Sequence, residues 1–125
     1  MRLLLDSHAL YWWVAGSPRL SASARKLILD RENAVLVSAV SIYELEWKAQ
    51  RSRIALPPQE LRAALRRNDV EDLPITLDHA EYAAQLEWDH RDPWDRLLAA
   101  QARLENCALV SVDEVFDAIG IDRQW

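Results

Sequence analysis

The stretch RLLLDSHALYWWVAG, residues 2–16, contains the pattern on which the fold depends. It begins with a short apolar run that is typical of a buried strand, and Asp6 ends that run. The residues from Ser7 onward predict a short helix closed by Gly16, because glycine readily adopts the left-handed backbone found at helix ends. A strand, an acid and a helix thus follow one another directly.

The same alternation of strand and helix recurs along the chain. AVLVS (34–38) predicts a second buried strand, and SIYELEWKAQRS (41–52) predicts a helix with Ser41 and Glu44 in capping-box register. CALVSVD (107–113) predicts a third strand that ends at Asp113. Because strands that alternate with helices form βαβ units, we expect an α/β fold with a parallel sheet covered on both faces.

The segment HRDPWDRLLAAQA (90–102) predicts the start of a long helix that runs to about residue 106. Asp92 suits the N-cap, Pro93 the first helical position, and Asp95 the third, where a carboxylate completes a capping box. Three more helices are predicted: at 17–33 (capped by Ser21), in 57–69 after its two prolines, and at 77–88 (capped by Asp78, with Glu81 three residues later). The remaining predicted elements are a strand at 73–76, a helical turn at 114–120 and an edge strand at 121–125.

Composition indicates an ordinary globular domain. Half of the 125 residues are hydrophobic and 28% are charged, so we expect residues 1–125 to form a single domain around one core. The net charge of −5 excludes a broad basic platform for nucleic acid. Cys107 is the only cysteine, which rules out an internal disulfide and predicts a small buried residue.

The beginning of the chain predicts a cytoplasmic protein. Met1 and Arg2 lead straight into the apolar strand, without the pattern of a secretory leader. The apolar stretch at 9–16 is much shorter than the roughly 20 residues that cross a bilayer. We therefore expect no membrane association.

Four acids follow predicted strands or begin predicted helices. Asp6 ends the first strand, Glu44 lies one turn into the helix after the second, and Asp113 ends the 107–113 strand. Asp95 lies in the first turn of the long helix. Since ligands bind beyond the carboxyl ends of the strands in an open parallel sheet, we expect these acids to share one edge.

Each of these acids also has a purely structural explanation. Carboxylates are favoured at helix N-termini because they cap free amides and interact well with the helix dipole. Glu81 also lies near a predicted helix N-terminus, and no catalytic role is proposed for it. A binding module whose acids only cap helices is therefore the alternative to an enzyme.

The set of four acids is better explained by a bound cation. Converging carboxylates repel each other by about 4 kcal/mol for two charges about 4 Å apart at an effective dielectric near 20. Such a cluster takes up protons or binds a cation, and oxygen ligands favour Mg²⁺ or Mn²⁺ over zinc. Carboxylate-held divalent ions activate water and bind phosphoryl oxygens, which is the chemistry of phosphodiester hydrolysis.

Four blocks of the sequence, in order, resemble the PIN-domain family, and more narrowly its VapC-type ribonuclease toxins of toxin–antitoxin modules. The resemblance extends over nearly the whole chain. The four blocks are LLLDSHALYWW, VSAVSIYELEWK, HRDPWDRLLAAQA and LVSVDEVFDAIG.

The resemblance implies a three-layer α/β/α fold with a short parallel sheet and a metal-dependent endoribonuclease activity. It places the metal-binding and catalytic acids at Asp6, Glu44, Asp95 and Asp113, and it leaves Asp92 mainly as the helix cap. It further implies an Mg²⁺ or Mn²⁺ cofactor, an RNA substrate, a cognate antitoxin and a homodimer. The class of RNA that is cut stays open.

The resemblance is incomplete after the second block. Many relatives have a glycine in that turn, where this chain has Ser52 and Arg53, and Glu46 adds an acid beside Glu44. Neither change alters the four acids. Both changes are candidates for affecting which RNA is cut.

Several neighbours of the acids are candidates for supporting roles. Ser7 and Ser111 suit hydrogen bonds to the acids, and Arg96 suits either a phosphate or an acid. His8 and His90 also lie near the acids in sequence, and we interpret both as packing or hydrogen-bonding residues. The helical tryptophans are better suited to core or dimer packing than to base stacking.

Overall fold

A computed structural model describes residues 1–55 and 58–125 and contains a five-stranded, entirely parallel sheet. The strands lie in the order β3-β2-β1-β4-β5. β1 is therefore the central strand and pairs with β2 on one side and β4 on the other. The strand bounds are Arg2–Leu5 (β1), Ala34–Ser38 (β2), Glu71–Leu73 (β3), Ala108–Val110 (β4) and Arg123–Gln124 (β5).

Helices connect the strands, as the alternating pattern predicts. Two helices join β1 to β2, two join β2 to β3, and two join β3 to β4. Their bounds are Ser7–Val14 (α1), Ala22–Leu29 (α2), Ala39–Gln50 (α3), Pro58–Arg67 (α4), Leu77–Gln85 (α5) and Pro93–Leu104 (α6), with a 3₁₀ helix at Glu114–Ile119 between β4 and β5.

The sheet is buried on both faces, which confirms the predicted three-layer α/β/α fold. Leu3 and Leu5 of β1 belong to one apolar cluster, which includes side chains from α1, α2 and α4. Leu4, from the same strand, belongs to a second cluster with side chains from α6 and the 3₁₀ helix. Successive strand side chains point to opposite faces, so a strand buried on both faces is continuously apolar.

Several predicted boundaries are confirmed. Asp92 caps α6 with Pro93 at its first position, and Ser21 caps α2. Gly16 has a φ of +65° directly after α1 and donates to the Trp13 carbonyl, as a helix-closing glycine should. The helix predicted to begin after Pro57 and Pro58 is α4, which begins at Pro58, while Pro57 lies outside the described residues.

Other predicted boundaries are wrong because capping and tertiary pairing select different residues. α3 begins after Ser38, whose side chain accepts the Val40 amide, so Ser41 lies inside the helix and does not start it. Thr76, and not Asp78, caps α5 through a capping box with His79. β4 ends at Val110, and Asp113 instead caps the 3₁₀ helix.

The third strand also lies earlier than the predicted 73–76. β3 pairs Glu71–Leu73 with Leu36–Ser38 of β2. The strand ends before Pro74, which has no amide hydrogen to donate to a ladder. None of the helices in the described ranges has the length and apolar character that a bilayer crossing requires.

A buried amide links three parts of the fold. Gln101 of α6 is completely buried, and its Oε1 accepts from the Ser38 hydroxyl at 2.5 Å. Its Nε2 donates to the Pro74 carbonyl at 3.2 Å, at the end of β3. Gln101 therefore connects the cap of α3, the end of β3 and the middle of α6.

We expect Gln101→Leu to lower the free energy of unfolding by about 1–3 kcal/mol, because the Ser38 hydroxyl and the Pro74 carbonyl lose their buried partner. Urea denaturation measures this change. Gln85→Leu, at an exposed position of α5, is the matched control and should have little effect. Equal denaturation midpoints for the two variants would contradict the prediction.

Candidate active site

The topology brings the four acids that are predicted as metal ligands to one edge of the sheet. Asp6 follows β1, and Asp113 follows β4 after two intervening residues. Chain order reverses between β1 and β4, and such a switch point is where open parallel sheets form a ligand crevice. α6 leads into β4, so its first turn, with Asp95, starts at the same edge.

Asp6 is both a helix cap and a buried acid. Its Oδ1 accepts the Ala9 amide at 2.7 Å, and the residue is only 7% exposed. Burial raises the pKa of Asp6, and the nearby charge of Glu44 raises it further. A hydrogen bond from Ser111, the Ala9 amide and the charge of His8 act in the opposite direction and only partly offset the burial.

Glu44 lies in the second turn of α3 and is held by two donors. The Ser7 hydroxyl lies 2.5 Å from its Oε2, and the Lys48 ammonium lies 2.9 Å from the same oxygen. Ser7 is buried at the start of α1, so its bond connects the elements that follow β1 and β2. The predicted supporting position of Ser7 thus lies in direct contact with one of the four acids.

Asp95 binds a histidine in place of the backbone amide that a capping box would use. Its Oδ2 lies 2.6 Å from His90 Nε2. Burial raises the pKa of Asp95, and the charges of Asp92 and Asp113 raise it further, while His90 lowers it through a hydrogen bond and its charge. His90 also packs against Trp88, which supports its ring.

Asp92 has the capping role predicted for it. Its Oδ1 accepts the amides of Trp94 at 2.9 Å and Asp95 at 3.3 Å. Within residues 1–55 and 58–125, His90, Asp92 and Asp95 form a group whose possible ligand atoms all lie within 4.8 Å of one another. Asp92 is thus a cap that adds negative charge beside Asp95.

Asp113 is exposed and connects to Asp6 through a serine. Its Oδ1 accepts the Val115 amide at 3.0 Å, and its own amide donates to Ser111 Oγ at 3.1 Å. Ser111 is fully buried, and its side chain lowers the pKa of Asp6. Ser111 therefore lies beside both the acid that follows β1 and the acid that follows β4.

The four predicted acids thus share one edge but form two halves. The charge of Glu44 raises the pKa of Asp6 in one half, and the charge of Asp113 raises the pKa of Asp95 in the other. Lys48 is not among the residues predicted from the sequence, although its position four residues after Glu44 on one helix is a usable signal. The hydrogen-bonding role predicted for His90 is confirmed, and its partner is Asp95.

Arg96 has a different set of partners from the two that its sequence position suggested. Its guanidinium donates to the carbonyls of Ala83, Leu86, Trp88 and His90, at distances of 2.6–3.1 Å. These bonds occupy the side chain, which neither pairs with Asp95 nor extends toward a phosphate. Arg96 instead organises the segment between α5 and α6 that carries His90.

Comparison with known proteins agrees with this architecture. The family model described as "PIN domain" matches residues 3–122. Ribonuclease VapC22 of Mycobacterium tuberculosis is 37% identical over 114 residues, which cover 89% of this chain and 86% of the relative.

Two solved structures share the fold at lower identity. VapBC2 from Rickettsia felis bound to a DNA fragment from their promoter has a TM-score of 0.77 at 19% identity, covering 99% of this chain and 98% of that one. A toxin–antitoxin complex from Klebsiella pneumoniae has a TM-score of 0.68 at 20% identity, covering 98% and 96%. The fold, the family match and the 37% identical relative together lead to one conclusion: the chain belongs to the PIN domain family.

Proposed function

We propose that this chain is a metal-dependent endoribonuclease that hydrolyses RNA phosphodiesters, acts as the toxin of a toxin–antitoxin pair and forms a single domain over residues 1–125. The observation that carries the proposal is the group of acids at the carboxyl edge of the sheet. The name of the relative, Ribonuclease VapC22, supports the choice of RNA as substrate.

The chemistry of the donor set fits a hard divalent cation. Burial and neighbouring carboxylates raise the pKa values of Asp6 and Asp95, so a bound cation would stabilise the ionised form of both. Oxygen donors with this charge suit Mg²⁺ or Mn²⁺. We propose that Asp6, Glu44, Asp95 and Asp113 hold the ion directly or through water.

When bound, the ion supplies Lewis-acid polarisation of a phosphoryl oxygen and activation of water. The chain's own residues orient the carboxylates for that role. Ser7 holds Glu44, the Ala9 amide holds Asp6, and His90 holds Asp95. Buried or half-buried carboxylates with fixed partners give a pre-organised site.

The alternative is a binding module whose acids only cap helices. Asp6, Asp92 and Asp113 do cap helices. Glu44 and Asp95, however, bind side chains and cap nothing: Glu44 binds Ser7 and Lys48, and Asp95 binds His90. Capping leaves these two acids unexplained, which favours the enzyme.

The proposal includes a protein partner. The similar structures are of VapBC2 and of a toxin–antitoxin complex. An acidic crevice suits an arginine or lysine from the C-terminal segment of a partner, because that side chain would replace the positive charge of the ion. Because RNA is made and used in the cytoplasm, we propose the cytoplasm as the location.

We also propose a homodimer. Tyr43 is 59% exposed and packs edge-on against Trp94, with ring centroids 6.0 Å apart. Trp94 also meets Trp47 at 6.2 Å, which gives a continuous aromatic surface beside Glu44 and Asp95. Aromatic residues that remain exposed, as Tyr43 does, or half-buried, as Trp47 and Trp94 do, suit a symmetric contact with a second copy.

We expect RNA cleavage to require Mg²⁺ or Mn²⁺ and to stop in EDTA, because the ion supplies the activation of water and the polarisation of the phosphoryl oxygen that carboxylates alone do not. Labelled RNA incubated with the purified protein and each ion measures this. Restoring Mn²⁺ after EDTA should restore cleavage, which controls for denaturation. Full cleavage in EDTA would disprove the metal mechanism.

The two acids of the α6 N-terminus should respond to mutation in different ways. Asp92→Ala should lower the free energy of unfolding by about 0.5–2 kcal/mol, because it removes a cap, and should leave much of the cleavage intact. Asp95→Asn should abolish cleavage while costing the metal-free protein little stability, because it removes one charge from a repelling group.

Thermal melts with and without Mn²⁺, beside the cleavage assay, measure both effects. The Mn²⁺-induced rise in melting temperature should shrink for Asp95→Asn, because only binding to the native state produces it. An active Asp95→Asn variant with a normal Mn²⁺ shift would show that Asp95 has been assigned the wrong role.

We expect a short protein encoded by a neighbouring gene to block RNA cleavage. A cationic side chain of its C-terminal segment would occupy the acidic crevice. Co-expression, followed by growth measurement and a cleavage assay on the purified complex, tests this. A variant of the small protein with the basic residues of its C-terminal segment changed to alanine is the control. Undiminished toxicity and cleavage in the complex would exclude it as the antitoxin.

A further inference from the structure

Lys48 is a cation that the set of four acids does not include. It is one of only two lysines in the chain, and its side chain is 25% exposed. Its ammonium lies 2.9 Å from Glu44 Oε2, and the Glu44 side chain is 12% exposed. Lys48 is therefore a half-buried positive charge placed directly against one of the proposed ligands.

The two donors to Glu44 converge on the same oxygen. Ser7 Oγ and Lys48 Nζ both bind Oε2, at 2.5 and 2.9 Å. A carboxylate held this way by two side chains, one of them buried, has little freedom to rotate. Oε1 is then the oxygen that Glu44 has available for another ligand.

The other cationic side chains near Lys48 are engaged elsewhere. Arg51 lies over the Trp47 ring at 3.8 Å and donates to the Trp47 carbonyl, and Arg53 lies 5.2 Å from the same ring. His8 stacks on Trp12, and its charge acts on Asp6. Lys48 is therefore the cation that directly contacts Glu44.

We propose that Lys48 is a positioning residue of the active site. Its ammonium holds Glu44 Oε2, so that Oε1 serves as the ligand atom, and it compensates the carboxylate charge while no ion is bound. This inference rests on the proposed function. Because two cations on one carboxylate repel, Lys48 weakens ion binding while it fixes the geometry needed for cleavage.

The proposal predicts opposite changes in ion affinity and in turnover. Lys48→Met should bind Mn²⁺ about 3- to 10-fold more tightly, since a repelling charge is removed. It should cleave RNA at least about 10-fold more slowly at saturating Mn²⁺, since Glu44 is no longer held in one orientation. A residue that served only stability would weaken Mn²⁺ binding and cleavage together.

Calorimetric titration of the RNA-free protein with Mn²⁺ gives the affinity, and labelled RNA at saturating Mn²⁺ gives kcat. Lys26→Met, on the exposed side of α2, removes the same charge away from the site and should match the wild type in both. Lys48→Arg keeps the charge and should keep wild-type Mn²⁺ affinity. Lys48→Gln, which is polar, repeats the test if the methionine variant does not fold.

Unchanged or weaker Mn²⁺ binding in folded Lys48→Met or Lys48→Gln would overturn the inference, and so would unchanged kcat. Mn²⁺-dependent melts give a second readout, since the metal-induced shift should grow in these variants. A wild-type protein that binds Mn²⁺ but cuts no RNA would refute the proposed function alone. The Mn²⁺ affinities of the variants would still show whether Lys48 weakens the binding of the ion.

Discussion

The repulsion between carboxylates at one edge of an all-parallel sheet is the constraint on which the rest of the structure depends. A parallel sheet directs the carboxyl ends of all its strands to that edge, and the helices that follow begin there. Asp6 and Asp95 are consequently buried or half-buried close to other acids, and the pKa of each is raised. The folded chain tolerates this charge through specific partners.

Each partner is supplied by a different element. Ser7 and Ser111 belong to the segments that follow β1 and β4, Lys48 lies one turn beyond Glu44, and His90 precedes α6. Arg96 in turn holds the segment around His90 by its backbone carbonyls. The site therefore depends on long-range packing as much as on the acids themselves.

The sequence was sufficient to predict the fold and the edge at which the acids lie, because both follow from apolar strands alternating with capped helices. It was less informative about boundaries: Ser38 rather than Ser41 starts α3, and β3 pairs before Pro74. Local spacing cannot distinguish two equally good caps when tertiary pairing selects between them. The sequence does not predict the bonds from Arg96 to the carbonyls of Ala83 and Leu86 for a similar reason, because they form only when α5 and α6 pack.

Capping and chemistry are not competing explanations for the acids of this edge. A cap needs one carboxylate oxygen, and Asp6 uses Oδ1 for the Ala9 amide. Asp113 also caps with a single oxygen, since its Oδ1 accepts the Val115 amide. Caps that hold a carboxylate by one oxygen fix its orientation and leave the other oxygen for a ligand. A helix N-terminus can thus position an acid for the chemistry that we propose.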